Sequence, residues 1–250
     1  MSQSESPLPT TTRRILVVED EPEIQILVNR ILRSVGHEVE SAGDGAEAIT
    51  KVQARRPDLI VLDIVMPRVD GWAVLDYLRE LPNPPPVILL TGRTDYETFA
   101  RGVRAGASAY VVKPFRFHEF VATCQRVLLA ASEAGSQVMH ERRRYPRRFL
   151  IVEVNVLSHD DKPIAMGELL ELSAGGARLE IGLAMEIGER IRIAFHIPGG
   201  VPLHLAAEVR WNRPSSLGHI HGLEFVDLAP ADVEQLGTLL GARIETSPDR

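Results

Sequence analysis

Five polar or charged residues in the first half of the chain follow short apolar runs: Glu19, Asp20, Asp63, Thr91 and Lys113. Three carboxylates brought together repel one another and need a cation, and oxygen ligands suit a hard divalent ion such as Mg²⁺. A lysine and a hydroxyl group that face the same point can bind phosphoryl oxygens. An aspartate beside a bound metal can attack a phosphorus centre and form an acyl phosphate. This set of residue types therefore indicates metal-assisted phosphoryl transfer.

Alternating strand-like and helical segments place these residues at one edge of a predicted sheet. The strand candidates are Ile15–Glu19, Glu38–Ser41, Leu59–Ile64, Val87–Thr91 and Ala109–Lys113, and the helix candidates are Pro22–Ser34, Gly45–Ala54, Trp72–Leu81, Tyr96–Ala105 and Phe117–Ala131. Apolar runs of this kind are typical of strands buried on both faces of a parallel sheet. Five β–α repeats predict a doubly wound α/β domain, in which ligands bind at the carboxyl ends of the strands.

The strings LVVEDEPEI, DLIVLDIVMPRVDG, LLTGR and AYVVKPF resemble a response-regulator receiver domain over its whole length. The resemblance implies that Asp63 is the phosphorylated aspartate. It further implies that Glu19, Asp20 and Asp63 hold Mg²⁺ together with the main-chain carbonyl of Val65. A sensor histidine kinase is the implied donor of the phosphoryl group.

Three further roles are implied by the same resemblance. Thr91 is the hydroxyl that turns toward the phosphoryl group, and Tyr110 matches the switch aromatic residue of the family, although a half-buried tyrosine is as often a packing residue. Lys113 pairs with the phosphate, and the Lys113–Pro114 bond is cis in the family.

In the second half of the chain, apolar and polar residues alternate with a period of two. Val152, Val154 and Val156 alternate with polar residues, as on a half-buried strand. Further strand candidates are Gly167–Leu172, Ala177–Ile181, Arg190–Ile197, Leu203–Asn212 and Ile220–Val226, separated by turn signals rich in Gly, Pro and Asp. Six short strands predict a small six-stranded antiparallel β-barrel, and Asp232–Leu240 is expected to form a C-terminal helix that packs on it.

The strings ERRRYPRR, ELSAGGARLE and GLEFVDL together resemble a PilZ domain over about residues 140–242. By position, Arg143 and Arg147 match the arginine pair of the family, and Ser173 and Gly176 match its second motif. An alternative register of the pair uses Arg144 and Arg148. The ligand that the resemblance implies is cyclic di-GMP. Its chemistry suits these residues, because a guanidinium group can bond guanine O6 and N7 and pair with phosphate.

Glu171 departs from the PilZ pattern, which prefers Asp or Asn at this position. Glutamate keeps the carboxylate but adds a methylene group, so it could bond the guanine edge or crowd the base. Losing one charge-assisted hydrogen bond costs ~1.5–3 kcal/mol. Cyclic di-GMP binding could therefore be intact, weakened or lost.

Four other interpretations of the second half stay open. A degenerate barrel that binds no nucleotide would leave a phosphorylation-controlled protein adaptor, and a DNA-binding regulator would need a helix-turn-helix pattern that this strand-rich half lacks. The basic run HERRRYPRR could be a solvated face or a weak attraction to nucleic acid or acidic lipid. His204, His219 and His221 could hold a metal, but exposed barrel histidines are commoner.

The composition of the chain limits the classes of protein to which it can belong. The net charge of −6 disfavours a chain-wide nucleic-acid surface, and the single cysteine, Cys124, excludes an internal disulfide. We expect a non-enzymatic cytoplasmic signalling protein with no membrane span, a downstream protein target and a possible homodimer. The expected boundaries are a disordered tail at 1–12, the receiver domain at 13–131, a linker at 132–141, the PilZ domain at 142–242 with its arginine loop at 143–148, and a frayed tail at 243–250.

Overall fold

Parallel strands and surrounding helices form the first domain. The computed structural model describes residues 11–92, 95–136, 148–158, 160–196, 201–215 and 218–241. The strands are β1 (Arg14–Val18), β2 (Glu38–Ala42), β3 (Leu59–Asp63), β4 (Val87–Thr91) and β5 (Ala109–Val112). The helices are α1 (Pro22–Ser34), α2 (Gly45–Ala54), α3 (Gly71–Arg79), α4 (Tyr96–Ala105) and α5 (Phe117–Ser136).

The strand order β2-β1-β3-β4-β5 is that of a doubly wound sheet. All residues of β3 and β4 are buried, because helices cover both faces of the sheet. Aspartates fix the starts of three helices: the carboxylates of Asp44, Asp70 and Asp95 accept hydrogen bonds from the first turns of α2, α3 and α4. The predicted parallel α/β domain is therefore confirmed.

Antiparallel strands form the second domain. They are β6 (Arg148–Ser158), β7 (Pro163–Ser173), β8 (Gly176–Ile181), β9 (Arg190–Phe195), β10 (Leu203–Ser215) and β11 (Gly218–Phe225), followed by helix α6 (Pro230–Leu240). The strands close into a barrel in the order β10-β11-β8-β7-β6-β9. The predicted six-stranded barrel with a C-terminal helix is confirmed. Among the described residues, no helix has the length and apolar character needed to cross a membrane.

Helix α5 continues further than its apolar pattern indicated. It ends at Ser136, whereas the sequence pattern placed the end at Ala131. The stretch from 132 to 136 has the sequence SEAGS, which contains a glycine and adds no apolar stripe, so its pattern did not indicate that the helix continues. The first part of the expected linker is therefore helical.

Candidate functional site

The acidic cluster is built by the ends of two neighbouring strands. Strands β1 and β3 pair in parallel with Val18 opposite Leu62, so the residues that follow, Glu19 and Asp63, come side by side. One carboxylate oxygen from each of Glu19, Asp20 and Asp63 lies within 4.8 Å of the others. This is a set of hard oxygen ligands, and it fits a divalent cation such as Mg²⁺.

Lys113 reaches the same cluster from the end of β5. Its Nζ lies 2.6 Å from Glu19 Oε2 and 2.6 Å from Asp63 Oδ2. Burial alone would lower the pKa of Lys113, but the hydrogen bonds to Asp63 and Glu19 outweigh it and raise the pKa. Burial raises the pKa of Glu19 to about 7, against the opposing hydrogen bond from Lys113. A cationic lysine thus lies against both carboxylates.

The loop after β3 donates a backbone hydrogen bond to the Asp63 carboxylate. The backbone N–H of Val65 donates to Asp63 Oδ1 at 2.9 Å. At Gly71 the chain passes close to the backbone of Asp63, and a Cβ atom on Gly71 would lie 2.2 Å from the Asp63 carbonyl oxygen. Only glycine therefore fits at the start of α3, and the close return fixes the loop that carries Val65.

Thr91 lies on β4, the strand beside β3, and Tyr110 lies on β5, one strand further out. Thr91 is fully buried at the end of β4, and its carbonyl accepts a hydrogen bond from Lys113 N–H at 2.8 Å. Tyr110 is half-buried and packs edge-on against Phe99 of α4, with ring centroids 5.4 Å apart. The Lys113–Pro114 peptide bond is cis. The structure thus brings Lys113 to the three carboxylates, with Thr91 at the end of the neighbouring strand and Tyr110 one strand further out.

The second candidate site lies on the hairpin formed by β7 and β8. Ser173 is buried, and its hydroxyl group donates to the Gly176 carbonyl at 3.0 Å. A Cβ atom on Gly176 would lie 2.0 Å from the Leu223 carbonyl oxygen on β11. The serine and the glycine of the motif therefore fix a tight turn against the next strand.

Glu171 is engaged by a residue that the sequence reading missed. Glu171 and Arg178 are cross-strand neighbours, and Arg178 Nη1 donates to Glu171 Oε1 at 2.8 Å. The two side chains are only 12% and 8% exposed. The available signal was the position of Arg178 two residues after Gly176, on the strand that returns past Glu171.

The arginine motif falls largely outside the described residues. Arg143, Arg144 and Arg147 lie outside them, whereas the backbone of Arg148 begins β6 and pairs with Leu172. The end of the arginine run therefore lies beside the Glu171–Ser173 segment.

The three barrel histidines differ in burial: His204 is exposed, His219 is half-buried and His221 is buried. His221 is fully buried, and its Nε2 accepts a hydrogen bond from the Met185 backbone N–H at 3.0 Å. Burial lowers its pKa, and the charge of His219 lowers it further. In the described part of the chain, the group able to hold a metal is the acidic cluster of the first domain, which does not include His204, His219 or His221. The expectation of exposed histidines is thus wrong for His221, because its ring satisfies a buried backbone N–H.

Comparison with known proteins matches both halves of the chain. The response regulator receiver domain model matches residues 15–125, and the PilZ domain model matches residues 141–242. The chain therefore belongs to the response regulators, and a PilZ domain follows its receiver domain. Receiver domains generally use Mg²⁺, and PilZ is a cyclic di-GMP-binding domain. Both are signalling domains rather than catalytic enzyme families.

Relatives match chiefly through the receiver half. The transcriptional regulatory protein PrrA of Mycobacterium tuberculosis is 43% identical over 47% of this chain and 51% of its own length, so the chain spans about half of that relative. The DNA-binding response regulator MtrA of Mycolicibacterium smegmatis is 31% identical over 74% of this chain and 75% of its own length. The chemotaxis response regulator CheY4 of Vibrio cholerae is 35% identical, covering 47% of this chain and 99% of its own, with a TM-score of 0.45.

Proposed function

We propose that this chain is a cytoplasmic two-component effector that accepts a phosphoryl group on Asp63, binds cyclic di-GMP through its barrel, and relays both inputs to a downstream protein. A sensor histidine kinase supplies the phosphoryl group. The proposal that Asp63 accepts the phosphoryl group is supported by the convergence of Glu19, Asp20 and Lys113 on the Asp63 carboxylate.

Each residue of the first site has a defined chemical task. Glu19, Asp20 and Asp63 would hold Mg²⁺ together with the carbonyl of Val65, and the bound ion would neutralise charge during phosphoryl transfer. Lys113 lies 2.6 Å from Asp63 Oδ2, where its ammonium group can pair with a phosphoryl oxygen. Thr91, at the end of the neighbouring strand, offers a hydroxyl group to the same phosphoryl group, and Tyr110 responds on the strand beyond it.

The phosphoacceptor is tested with acetyl phosphate and Mg²⁺. The full chain is expected to gain one phosphoryl group, visible as a mass shift or as retarded mobility on a phosphate-affinity gel. Asp63→Asn is expected to lose it, whereas Asp76→Asn, a change on the outer part of α3, should keep it. Equal labelling of the Asp63 variant would refute the assignment.

The observation that supports the nucleotide half is the pairing of Arg148 with Leu172. This pairing brings the chain that follows Arg143 and Arg147 to the Ser173–Gly176 turn. Guanidinium groups there could bond a guanine edge and a phosphate together. The register with Arg144 and Arg148 would use the same turn.

Calorimetric titration of the full chain with cyclic di-GMP tests this half. Arg143→Ala and Arg147→Ala are expected to weaken binding strongly, whereas Arg142→Ala, in the same basic run, should change it little. If Arg144→Ala and Arg148→Ala are the damaging changes, the alternative register is correct.

A second candidate function is favoured by the state of Glu171. Its carboxylate is already bonded to Arg178, so a guanine edge would have to share or replace that bond. A barrel that binds no nucleotide would make the chain a phosphorylation-controlled adaptor. No heat of binding with cyclic di-GMP at concentrations of tens of micromolar would favour this adaptor.

A further inference from the structure

Gln25, the fourth residue of α1, bridges the carboxyl ends of β1 and β2. Its Nε2 donates to the Glu19 carbonyl at 2.8 Å and to the Ala42 carbonyl at 3.1 Å. Because both acceptors are main-chain carbonyl oxygens, the group that faces them must be the NH₂ end of the side-chain amide. One half-buried side chain therefore holds two neighbouring strand ends at once.

The start of α1 directs this side chain toward the sheet. Pro22 is the first residue of the helix, where its fixed φ and missing N–H are tolerated. The Gln25 N–H closes the first helical turn by donating to the Glu21 carbonyl at 2.9 Å. Side chains on a helix lean toward its N-terminus, so Gln25 reaches back toward residues 19–21 rather than onward along α1.

The Glu19 carbonyl belongs to the peptide group that joins Glu19 to Asp20. This peptide is planar, so fixing its oxygen also fixes the direction in which the chain continues to Asp20. Glu19 is held at two other atoms as well: its N–H donates to the Ala42 carbonyl at 3.1 Å, and its Oε2 lies 2.6 Å from Lys113 Nζ. The Gln25 bond adds the contact that orients the main chain between the two acidic residues.

The acidic cluster benefits from support of this kind. Oxygens of Glu19, Asp20 and Asp63 lie within 4.8 Å of one another, and like charges at this separation repel. The amide of Gln25 is neutral and bonds only main-chain carbonyls, so it opposes the separation of these residues without neutralising any carboxylate. The charge of all three carboxylates stays available to a cation.

We propose that Gln25 is a positioning residue for the metal site, and that its two hydrogen bonds hold the main chain between Glu19 and Asp20 in the arrangement that binds Mg²⁺. This role rests on the proposed function, in which both residues and Asp63 hold the ion. Replacing residues that orient metal ligands typically weakens metal binding by about 10- to 100-fold. Gln25 acts through the backbone rather than on a ligand atom, so we expect an effect of about tenfold.

Titration with Mg²⁺ alone, without a phosphoryl donor, tests this role. The NMR signals of the amides near Asp20 and Asp63 are followed in the full chain as MgCl₂ is added, and their shifts give the Kd. Gln25→Met keeps the length of the side chain but removes the donor, so the Kd should rise about tenfold.

Asn29→Leu is the matched control. Asn29 lies one turn further along α1 and donates to Ser41 Oγ on β2 at 2.7 Å. Its replacement loosens the same helix against the same strand, but it removes no bond to the main chain beside Asp20. The Kd for Mg²⁺ should therefore change by less than about twofold.

A second variant separates orientation from charge. Gln25→Glu keeps the shape of the side chain, but its ionised carboxylate cannot donate to either carbonyl. A negative charge near the cluster would by itself tighten Mg²⁺ binding, whereas the loss of both hydrogen bonds should weaken it. We expect a higher Kd, and a lower one would show that local charge rather than orientation sets the affinity.

Labelling by acetyl phosphate distinguishes a weaker metal site from a damaged fold. In Gln25→Met the Mg²⁺ concentration for half-maximal labelling should rise, whereas the rate at saturating Mg²⁺ should return to that of the unmodified chain. An unchanged Kd in Gln25→Met, or an equal rise in Asn29→Leu, would overturn the proposal. Failure of the proposed function gives a different result: if Mg²⁺ shifts no signal near Asp20 and Asp63 in the unmodified chain, the acidic cluster is not a metal site and Gln25 has no such role.

Discussion

Removing Arg178 should destabilise the barrel, because it takes away the guanidinium group that bonds Glu171 Oε1. The two side chains are 8% and 12% exposed and lie 2.8 Å apart. Breaking a buried ion pair from one side costs about 3–5 kcal/mol. Because both groups keep slight exposure, we expect Arg178→Met to cost about 3 kcal/mol, near the lower end of that range. Methionine retains the apolar part of the arginine side chain, so lost packing contributes little.

The double variant separates the ion pair from packing. Glu171→Leu/Arg178→Met removes both charges, and replacing a buried pair by apolar groups is often neutral or stabilising. The double variant should therefore lose about 2 kcal/mol less than the sum of the two single variants.

Urea unfolding measures these differences. Trp211 on β10 reports on the barrel, and the Trp72→Phe background removes the tryptophan of the receiver domain. The midpoint should shift with little change in slope. If the single variants add to the value of the double variant, the Glu171–Arg178 bond is not what stabilises this face.

Three other changes have clear expected outcomes. Gly176→Ala should destabilise the barrel by about 2 kcal/mol or more in urea unfolding, because the added Cβ atom would lie 2.0 Å from the Leu223 carbonyl oxygen. Gly182→Ala is the control, and it should destabilise the barrel far less because the space around Gly182 is open. The pKa of Glu19 is raised from 4.5 to about 7 mainly by burial, so the folded state retains a proton that the unfolded state loses. Stability should fall as pH rises from 4.5 to about 7, and Glu19→Gln should flatten that fall in thermal unfolding. Cys124 is 1% exposed and burial raises the pKa of its thiol, so a thiol reagent should label it slowly in buffer and quickly in urea.

The receiver site was predictable because its residues follow strands. The four strands that these residues end or follow were visible as short apolar runs, and the parallel arrangement brings all carboxyl ends to one edge. Glu19 and Asp63 could therefore be placed together from local patterns alone. In the structure, Lys113 Nζ lies 2.6 Å from an oxygen of each of these two carboxylates, at the edge of the sheet where those patterns placed them.

The partner of Glu171 could not be found in the same way. A period of two says which face a residue occupies, but it does not say which residue stands opposite. The opposite residue depends on the hairpin register, and the pairing of β7 with β8 shifts between Leu169 and Glu171. Such an irregularity changes which residues are cross-strand neighbours, but it does not alter the hydrophobic pattern of the sequence.

The contact between the two domains could not be predicted, for a different reason. Phe99 of α4 lies in one buried cluster with Leu236 and Leu239 of α6. Each of these residues fits an ordinary amphipathic helix, so neither pattern distinguishes packing within a domain from packing between domains. Glu168 of β7 and Arg126 of α5, which form an ion pair at 2.6 Å, likewise resemble solvated surface charges in the sequence. Only the arrangement of the two completed folds brings these residues into contact.

The closed cylinder of the second domain limits how other molecules can attach to it. Strand β9 pairs with both β6 and β10, which completes the ring. Where β9 pairs with Val154–Ser158 of β6 and with Leu203–Glu208 of β10, the described strands leave no free edge to which a peptide could add as a further strand. Recognition at this part of the barrel must therefore work through side chains and loops.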